Sequence, residues 1–269
     1  MADSDRSGRA DLHIHTVASD GLADVVSIMD DVVRRGELDV IAVTDHERID
    51  AAVAGRAIAR DRGLPIDVIV GEEVTTLGGH LLGLFIERRI KPYRTLGRTI
   101  ADIHEAGGLA IPAHPLVPYP LCAQGWVLRR LLDDPDDAVR PDGLETFNPT
   151  ALGRPWHDRA VRFADDHALA RIGNSDAHAL DAVGAGWTSF PGTTAAELRT
   201  AIEDRTTDHG GSFHGTVGQV GVFGQQVRKR AVDARDELGG RIRRSGTGRD
   251  HGYPGGRARP PRYDGPDAS

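Results

Sequence analysis

Nine side chains of metal-ligating type recur in short clusters along this chain: His13, His15 and Asp20, then His46, Glu73 with His80, His114, and Asp176 with His178. In Asp11-Leu12-His13-Ile14-His15 two imidazoles stand two residues apart, with Asp20 five residues beyond. On a strand alternate residues share a face, so His13 and His15 are expected to point one way while Leu12 and Ile14 point the other. Neutral imidazoles beside a carboxylate suit divalent transition metals. Histidines satisfied by ordinary hydrogen bonds are the competing reading of that stretch alone. One ion takes three or four protein ligands, so nine candidates imply two or three ions and a carboxylate that bridges them. Such clusters suit phosphoester hydrolysis: they lower the pKa of a bridging water, polarise the phosphoryl group and stabilise the charge that develops on it.

Groups so far apart in sequence meet only if regular elements deliver them to one edge. Asp24 opens an amphipathic helix through Val33 that Gly36 stops, and Leu38 to Val43 is a buried strand leading into Thr44-Asp45-His46. Asp50 is expected to cap a helix to about Arg62, with Gly63 after it. Pro65 to Val70 is an apolar run ending in Gly71-Glu72-Glu73-Val74, and Leu81 to Ile86 follows a turn at Gly78-Gly79, with His80 at its start. A helix from about Arg94 to Ala106 precedes the short strand Leu109 to Ile111 and Ala113-His114-Pro115. Four prolines between 112 and 120 make the next loop irregular, and Trp126 to Leu132 reads as a helical turn or two. Leu144 to Phe147 is a strand, and a helix from about Trp156 to Leu169 leads to Gly173-Asn174-Ser175-Asp176-Ala177-His178. Trp187 to Phe190 is strand-like, and Thr194-x-x-Glu197 is a capping box for a last helix. Strands alternating with helices are the pattern of parallel βαβ units, whose strand ends are where sites are built.

Composition narrows the class. At 269 residues the chain can bury a sizeable core. Its one cysteine, Cys122, excludes an internal disulfide and a cysteine-cluster zinc site, fits a reducing compartment, and reads as a packing residue. No apolar run approaches the roughly 20 residues of a membrane span, and the polar start lacks a signal-peptide core, so a cytoplasmic protein is expected. Residues 1–205 hold 22 Lys+Arg against 33 Asp+Glu, a net −11, while 206–269 hold 11 against 7, a net +4. The acidic body argues against a surface that coats nucleic acid. The Gly/Pro/Arg-rich end cannot bury a core and reads as a mobile C-terminal tail, with Val220 to Arg244 a candidate basic helix.

The motifs His13-Ile14-His15, Thr44-Asp45-His46, Gly71-Glu72-Glu73-Val74, Ala113-His114-Pro115 and Gly173 to His178 occur in the order of the polymerase and histidinol phosphatase (PHP) family, which the chain resembles over roughly residues 10–205. The resemblance implies an α/β fold, a distorted seven-stranded β/α barrel, and two or three divalent ions of manganese, zinc or iron without an organic cofactor. It implies three domains of sequence: a polar extension at 1–9, a metal-dependent phosphoesterase domain at 10–205 and the tail at 206–269. One ion would take His13, His15, Glu73 and Asp176; a second would share Glu73 and add His114 with His80; a third would take Asp20, His46 and His178. Catalytic weight then falls on Glu73, Asp176 and His178. An aspartate at position 20, where some members carry histidine, looks like the small stand-alone phosphoesterases.

Other residues take lesser roles. Asp45 is expected to orient an imidazole, and Glu72 to point away from Glu73 into solvent. Arg154 and Asn148, after the sixth strand, are candidates to hold a substrate phosphate. His104, His157 and His167 read as surface residues on helices; His209, His214 and His251 fall in the tail and receive no role. A small phosphorylated metabolite or nucleotide is the expected substrate. Rivals are a nuclease acting on DNA or RNA ends and a non-enzymatic scaffold; the acidic body disfavours the first and the full ligand set the second. Amidohydrolases also begin with His-x-His but usually carry a bridging lysine, and the body's one lysine, Lys91, follows no such strand end. Membrane partners are not expected, and nothing in the sequence fixes the oligomeric state.

Overall fold

The capping chemistry read from the sequence sets the first helices. In the computed structural model, which describes residues 7–150 and 154–213, the Asp24 side chain accepts the Ser27 N–H at 3.0 Å to start α1 (Val25–Arg35), and Gly36 ends it with φ 63°. In helix α2 (Asp50–Arg62) Ile49 takes the N-cap position with no side-chain cap bond, and the Asp50 carboxylate sits in the first turn instead, where it still favours the helix dipole. Thr194 and Glu197 form the expected capping box of α6 (Ala195–Glu203). Between these lie α3 (Leu96–Glu105), α4 (Gly125–Leu132) and α5 (His157–Asp166). The candidate helix Val220 to Arg244, His214 and His251 lie outside the described residues.

Nine strands form two sheets: β1 (Ser7–Ile14), β2 (Val40–Val43), β3 (Asp67–Thr76), β4 (Gly79–Leu84), β5 (Leu109–Pro112), β8 (Gly186–Pro191) and β9 (Asp208–Gly211) in the order β5-β4-β3-β2-β1-β8-β9, with β6 (Gly143–Phe147) and β7 (Ala170–Gly173) paired separately. The main sheet is a curled half-barrel of mixed direction. It is parallel across β1, β2 and β3, as βαβ units require, but β4, β5, β8 and β9 join it antiparallel. The uniform parallel pattern expected from the sequence fails here for a steric reason. Two residues, Leu77 and Gly78, join β3 to β4, and so short a link permits only a hairpin. Gly79 completes it at φ 122°, where an added Cβ would stand 2.4 Å from the Ala123 amide nitrogen. A continuous seven-stranded barrel ladder is also absent among the described residues. The β6–β7 pair is tied to the half-barrel by a few bonds: the Asp142 N–H to the Ala110 carbonyl at 3.0 Å, and at the other side His15 N–H to Ala177 O at 2.9 Å.

Two layers of apolar packing separate the outside of the sheet from its inside. Ile41, Val43, Val68 and Val70 pack outward with α1 and α2 residues such as Met29 and Ala59. Ala10, Leu12, Val40, Ala42, Leu82, Ile111 and Ile172 pack together inside, with Leu198 and Ile202 of α6 among them. Strand β1 changes face partway along. Its register against β2 slips by one residue between Asp11 and Ile14, so Leu12 belongs to the inner layer and Ile14 to the outer one. The expectation that Leu12 and Ile14 share a face is therefore wrong, because a bulge inserts one residue and turns the histidines that follow toward the inside.

The ends of the domain also differ from the sequence reading. Ser7 to Arg9 already pair with β8, and β9 lies beyond residue 205, paired with β8 from Gly186 to Ser189. His209, assigned no role from sequence, bonds through Nδ1 to the Thr146 hydroxyl at 3.0 Å, and Phe213 packs on Phe147 with ring centroids 4.9 Å apart. Among the described residues no helix is long and apolar enough to cross a membrane. A chain ending at Arg205 loses this strand and its aromatic contacts. It should melt about 5–10 °C below one ending at Phe213 in metal-free calorimetry, as a loss of about 2–3 kcal/mol would produce.

Candidate metal centre

Each strand end delivers its residue by a local device. Past the bulge, His13 and His15 are fixed by reciprocal bonds with the Ala177 backbone, His15 N–H to Ala177 O and Ala177 N–H to His13 O at 3.1 Å. The next loop folds back because Asp45 accepts the Thr16 amide (2.7 Å) and hydroxyl (2.6 Å) and the Ser19 hydroxyl. Asp45 thus holds a loop and no imidazole, contrary to the sequence reading, and the loop it holds carries Asp20. Strand β3 changes partner at Gly71, pairing parallel with β2 up to Val70 and antiparallel with β4 from there on. A Cβ at Gly71 would stand 2.8 Å from the Thr44 methyl, so the crossover is open only to glycine. This switch carries Glu73 past the end of β2, where His46 bridges to it. His114 and Asp176 sit at φ 32° and 51°, left-handed conformations that cost about 1–3 kcal/mol each and that concentrate at functional sites.

The nine residues converge. Glu73, 1% exposed, lies at the middle. Its Oε2 is 3.3 Å from His13 Nε2, 3.2 Å from His15 Nε2 and 3.2 Å from His46 Nδ1, and its Oε1 is 2.8 Å from His80 Nδ1 and 3.2 Å from His114 Nε2. Asp176 Oδ1 stands 3.4 Å from His13 Nε2 and 3.5 Å from His15 Nε2. Asp20 reaches His15 Nδ1 at 3.5 Å through Oδ1 and His178 Nε2 at 3.3 Å through Oδ2. Three sets have ligand atoms all within 4.8 Å of one another: His15, Asp20, His46 and His178; His13, His15 and Asp176; and His46, Glu73 and His80. The division differs from the one the resemblance implies in two ways. His15 faces two sets, one with each ring nitrogen, and His46 stands nearer to Glu73, at 3.2 Å, than to Asp20, at 3.8 Å. His80, whose spacing from the other motifs is the loosest, is brought to Glu73 as closely as any histidine.

A second layer of residues that sequence reasoning missed orients these ligands. Glu145 on β6 accepts His13 Nδ1–H at 3.0 Å and the His114 backbone N–H at 2.6 Å. Asp11 accepts the Ser175 amide and the Gly184 amide, at 3.0 and 2.8 Å, and so ties β1 to the segment carrying Asp176; burial pushes its pKa up to about 6. The available signal was a carboxylate inside an apolar strand, in Ala10-Asp11-Leu12 and Leu144-Glu145-Thr146, where an unpartnered charge is too costly to keep. Asn148 belongs to this layer too: its Nδ2 donates to Glu145 Oε2 at 3.1 Å and Asp176 Oδ2 at 3.2 Å, and its Oδ1 accepts the Thr150 N–H. Its amide is thus engaged by the protein, in a role the sequence reading did not give it. Arg154 is exposed, with its guanidinium 5.3 Å above the Phe213 ring. Cys122, expected only to pack, has its sulfur 3.3 Å from His114 Nδ1. Glu72 points away from Glu73 as expected but is buried, not solvent-facing. It accepts the Ile90 N–H at 2.8 Å, and burial pushes its pKa up to about 7.

Charge is balanced within the cluster. Burial disfavours the charged forms of His13, His15, Asp20, Glu73, His114 and Asp176, yet attraction between unlike charges outweighs it. His13 is held well above the usual histidine range by Asp176, Glu73 and Glu145, and His15 is pushed up to about 10 by Asp176 and Glu73. Glu73 and Asp176 are held well below the carboxylate range, Glu73 mainly by His80, His46 and His13. His46 goes the other way, to about 4, because burial and the neighbouring imidazoles oppose one more positive charge. Three buried ring nitrogens, His13 Nε2 and both of His15, make no hydrogen bond although carboxylate oxygens lie close by. Inward-facing imidazole nitrogens without proton partners, arranged around shared carboxylates, fit divalent ions.

The comparisons with known proteins agree with this geometry. A family model described as PHP-associated matches residues 154–207. The chain is 32% identical over 151 residues to the uncharacterized protein MJ1587 of Methanocaldococcus jannaschii, covering 52% of this chain and 81% of that one. Its fold is similar to that of a two-domain protein from Bacteroides vulgatus containing a predicted PHP-like metal-dependent phosphoesterase, at TM-score 0.62 and 20% identity, covering 78% of this chain and 66% of that one. It is also similar to an amidohydrolase from Chromobacterium violaceum with bound sulfate and no metal, at TM-score 0.56 and 19% identity, covering 73% and 96%. The chain thus carries a PHP-associated segment at residues 154–207, belongs to one family with MJ1587, and shares its fold with PHP-like metal-dependent phosphoesterases.

Proposed function

We propose that this protein hydrolyses phosphoesters of a small phosphorylated metabolite or nucleotide at a centre of two or three divalent ions. The observation that carries the reading is Glu73, whose two oxygens face separate groups of histidines, three on Oε2 and two on Oε1. A carboxylate so placed would bridge neighbouring ions. His13, His15 and Asp176 would hold one ion beside Glu73, His80 and His114 a second, and Asp20, His46 and His178 a third. When bound, such ions polarise a phosphoryl oxygen and make a water acidic enough to act as nucleophile near neutral pH.

The chain's own residues supply the rest. Asn148 holds the Asp176 carboxylate in place through Oδ2, leaving Oδ1 turned to the histidines. Arg154, exposed after β6, is the candidate cation for the substrate phosphate, which its planar guanidinium can hold bidentately. The bound sulfate of the Chromobacterium violaceum relative is an oxyanion of the same shape. A single phosphate needs only these groups. A nucleic-acid strand would have to approach a body of net charge −11, which favours the small substrate.

Glu73→Gln leaves one acceptor oxygen where two are needed. It should lower turnover on a phosphomonoester by at least about 100-fold, more than loss of a ligand's orienting partner does, while far-UV circular dichroism stays unchanged. Near-normal turnover in a metal-loaded variant would place the bridge elsewhere. In parallel, a nucleoside monophosphate should be hydrolysed in preference to a single-stranded oligonucleotide, with little dependence on salt. Oligonucleotide cleavage that is faster and falls steeply with salt would identify a nuclease.

Metal uptake should also depend on pH, with a sign set by the imidazoles. Without metal, His13, His15 and His114 are held protonated at neutral pH, so an ion must displace protons to reach their nitrogens. Apparent affinity should therefore rise from pH 6 to pH 9, by about tenfold per pH unit for each proton displaced. Chelator competition at several pH values, with proton release read by calorimetry in two buffers, measures both.

A further inference from the structure

Glu145 is a carboxylate beside the centre whose oxygens face no open ligand position, because four donors fill them. Oε1 accepts His13 Nδ1–H and Asn174 Nδ2–H, each at 3.0 Å; Oε2 accepts the His114 backbone N–H at 2.6 Å and Asn148 Nδ2–H at 3.1 Å. It is 2% exposed, so water cannot substitute for it. Its neighbours reach three of the proposed ligands on three segments: His13 after the β1 bulge, His114 after β5, and Asp176 by way of Asn148. A slip in the β6–β7 register between Glu145 and Phe147 marks where β6 turns into this position.

We infer that Glu145 is the positioning residue of the metal centre: by accepting the Nδ1 proton it fixes His13 in the tautomer whose Nε2 lone pair faces Glu73 and Asp176, and by accepting the His114 amide it holds that residue in its left-handed conformation. The inference rests on the reading of the cluster as a metal centre. Its force lies in the donor count. All four partners donate, and only a carboxylate accepts from four donors at once. A glutamine in its place turns an NH2 group toward one pair whichever way it is set. Set toward His13, it can be accepted only by an unprotonated Nδ1, which moves the ring proton to Nε2, where the metal must bind. Set toward His114, it opposes a backbone N–H that has no other form. Asn174 cannot relieve the conflict by flipping, since its Oδ1 is committed to the Leu12 N–H at 3.0 Å.

The test uses the full chain, stripped of metal and titrated with zinc. Glu145→Gln should bind zinc about 10–100-fold more weakly than the wild type in chelator competition. In the zinc-loaded wild type, 15N spectra of labelled histidine should show the His13 ring with a proton on Nδ1 and none on Nε2, a state a merely structural role would not require. Equal zinc affinity in the two chains, with His13 keeping its Nδ1 proton in the variant, would overturn this inference and leave the metal-centre reading standing. A wild type that takes up no zinc, manganese or iron overturns both. If the substituted chain does not fold, the wild-type spectrum decides: a His13 ring bound through Nδ1, or protonated on Nε2, refutes the role.

Discussion

A single buried carboxylate, Glu73, sets the terms for the rest of this molecule. Placing a charge at 1% exposure is unfavourable unless opposite charge and hydrogen-bond donors surround it, and five imidazoles do so. Those imidazoles are themselves buried, as at His13, His15 and His80, or half-buried, as at His46 and His114, and lie against the carboxylates of Glu73, Asp176, Asp20 and Glu145. Without ions, protons on His13, His15 and His114 offset the carboxylate charge; in the proposed metal centre the same atoms would become ligands. Protons and metal would then compete for one set of lone pairs.

The fold can be understood as the means of holding that cluster open at one edge. Apolar layers on both faces of the half-barrel bury its lower part, with α6 contributing Leu198 and Ile202 to the inner layer. Above it the inward residues become polar, and both changes of register, in β1 and in β6, occur at that transition. A strand that kept strict alternation from Leu12 would send His13 outward. The bulge thus lets one strand serve an apolar core and a charged site in succession.

Positioning is hierarchical. Strand ends bring the ligands near, left-handed backbone at His114 and Asp176 sets their direction, and a second layer of Asp11, Asp45, Glu145, Asn148 and Asn174 fixes the angle. The conformational strain of the first is offset by the hydrogen bonds of the second. Such sites tolerate little change in the outer layer, since each of these residues joins its own segment to another that carries a member of the cluster.

Much of this was legible in the sequence. The members of the cluster were plain, because His and acidic residues at strand ends have few other uses, and the helix caps at Asp24, Gly36 and Thr194 follow from short-range chemistry that neighbouring residues decide. The left-handed Asp176 and His114, the antiparallel joins of β4, β8 and β9, and the extension of the domain to β9 were not legible, since pairing depends on which strand arrives alongside. The same holds for the bulge: a one-residue slip is a property of two strands, and Leu12-His13-Ile14 alone cannot state it. Residue type determined what could bind here; only the tertiary structure decided which nitrogen meets which oxygen, because hydrogen-bond partners such as Glu145 for His13 lie 132 residues apart in the chain.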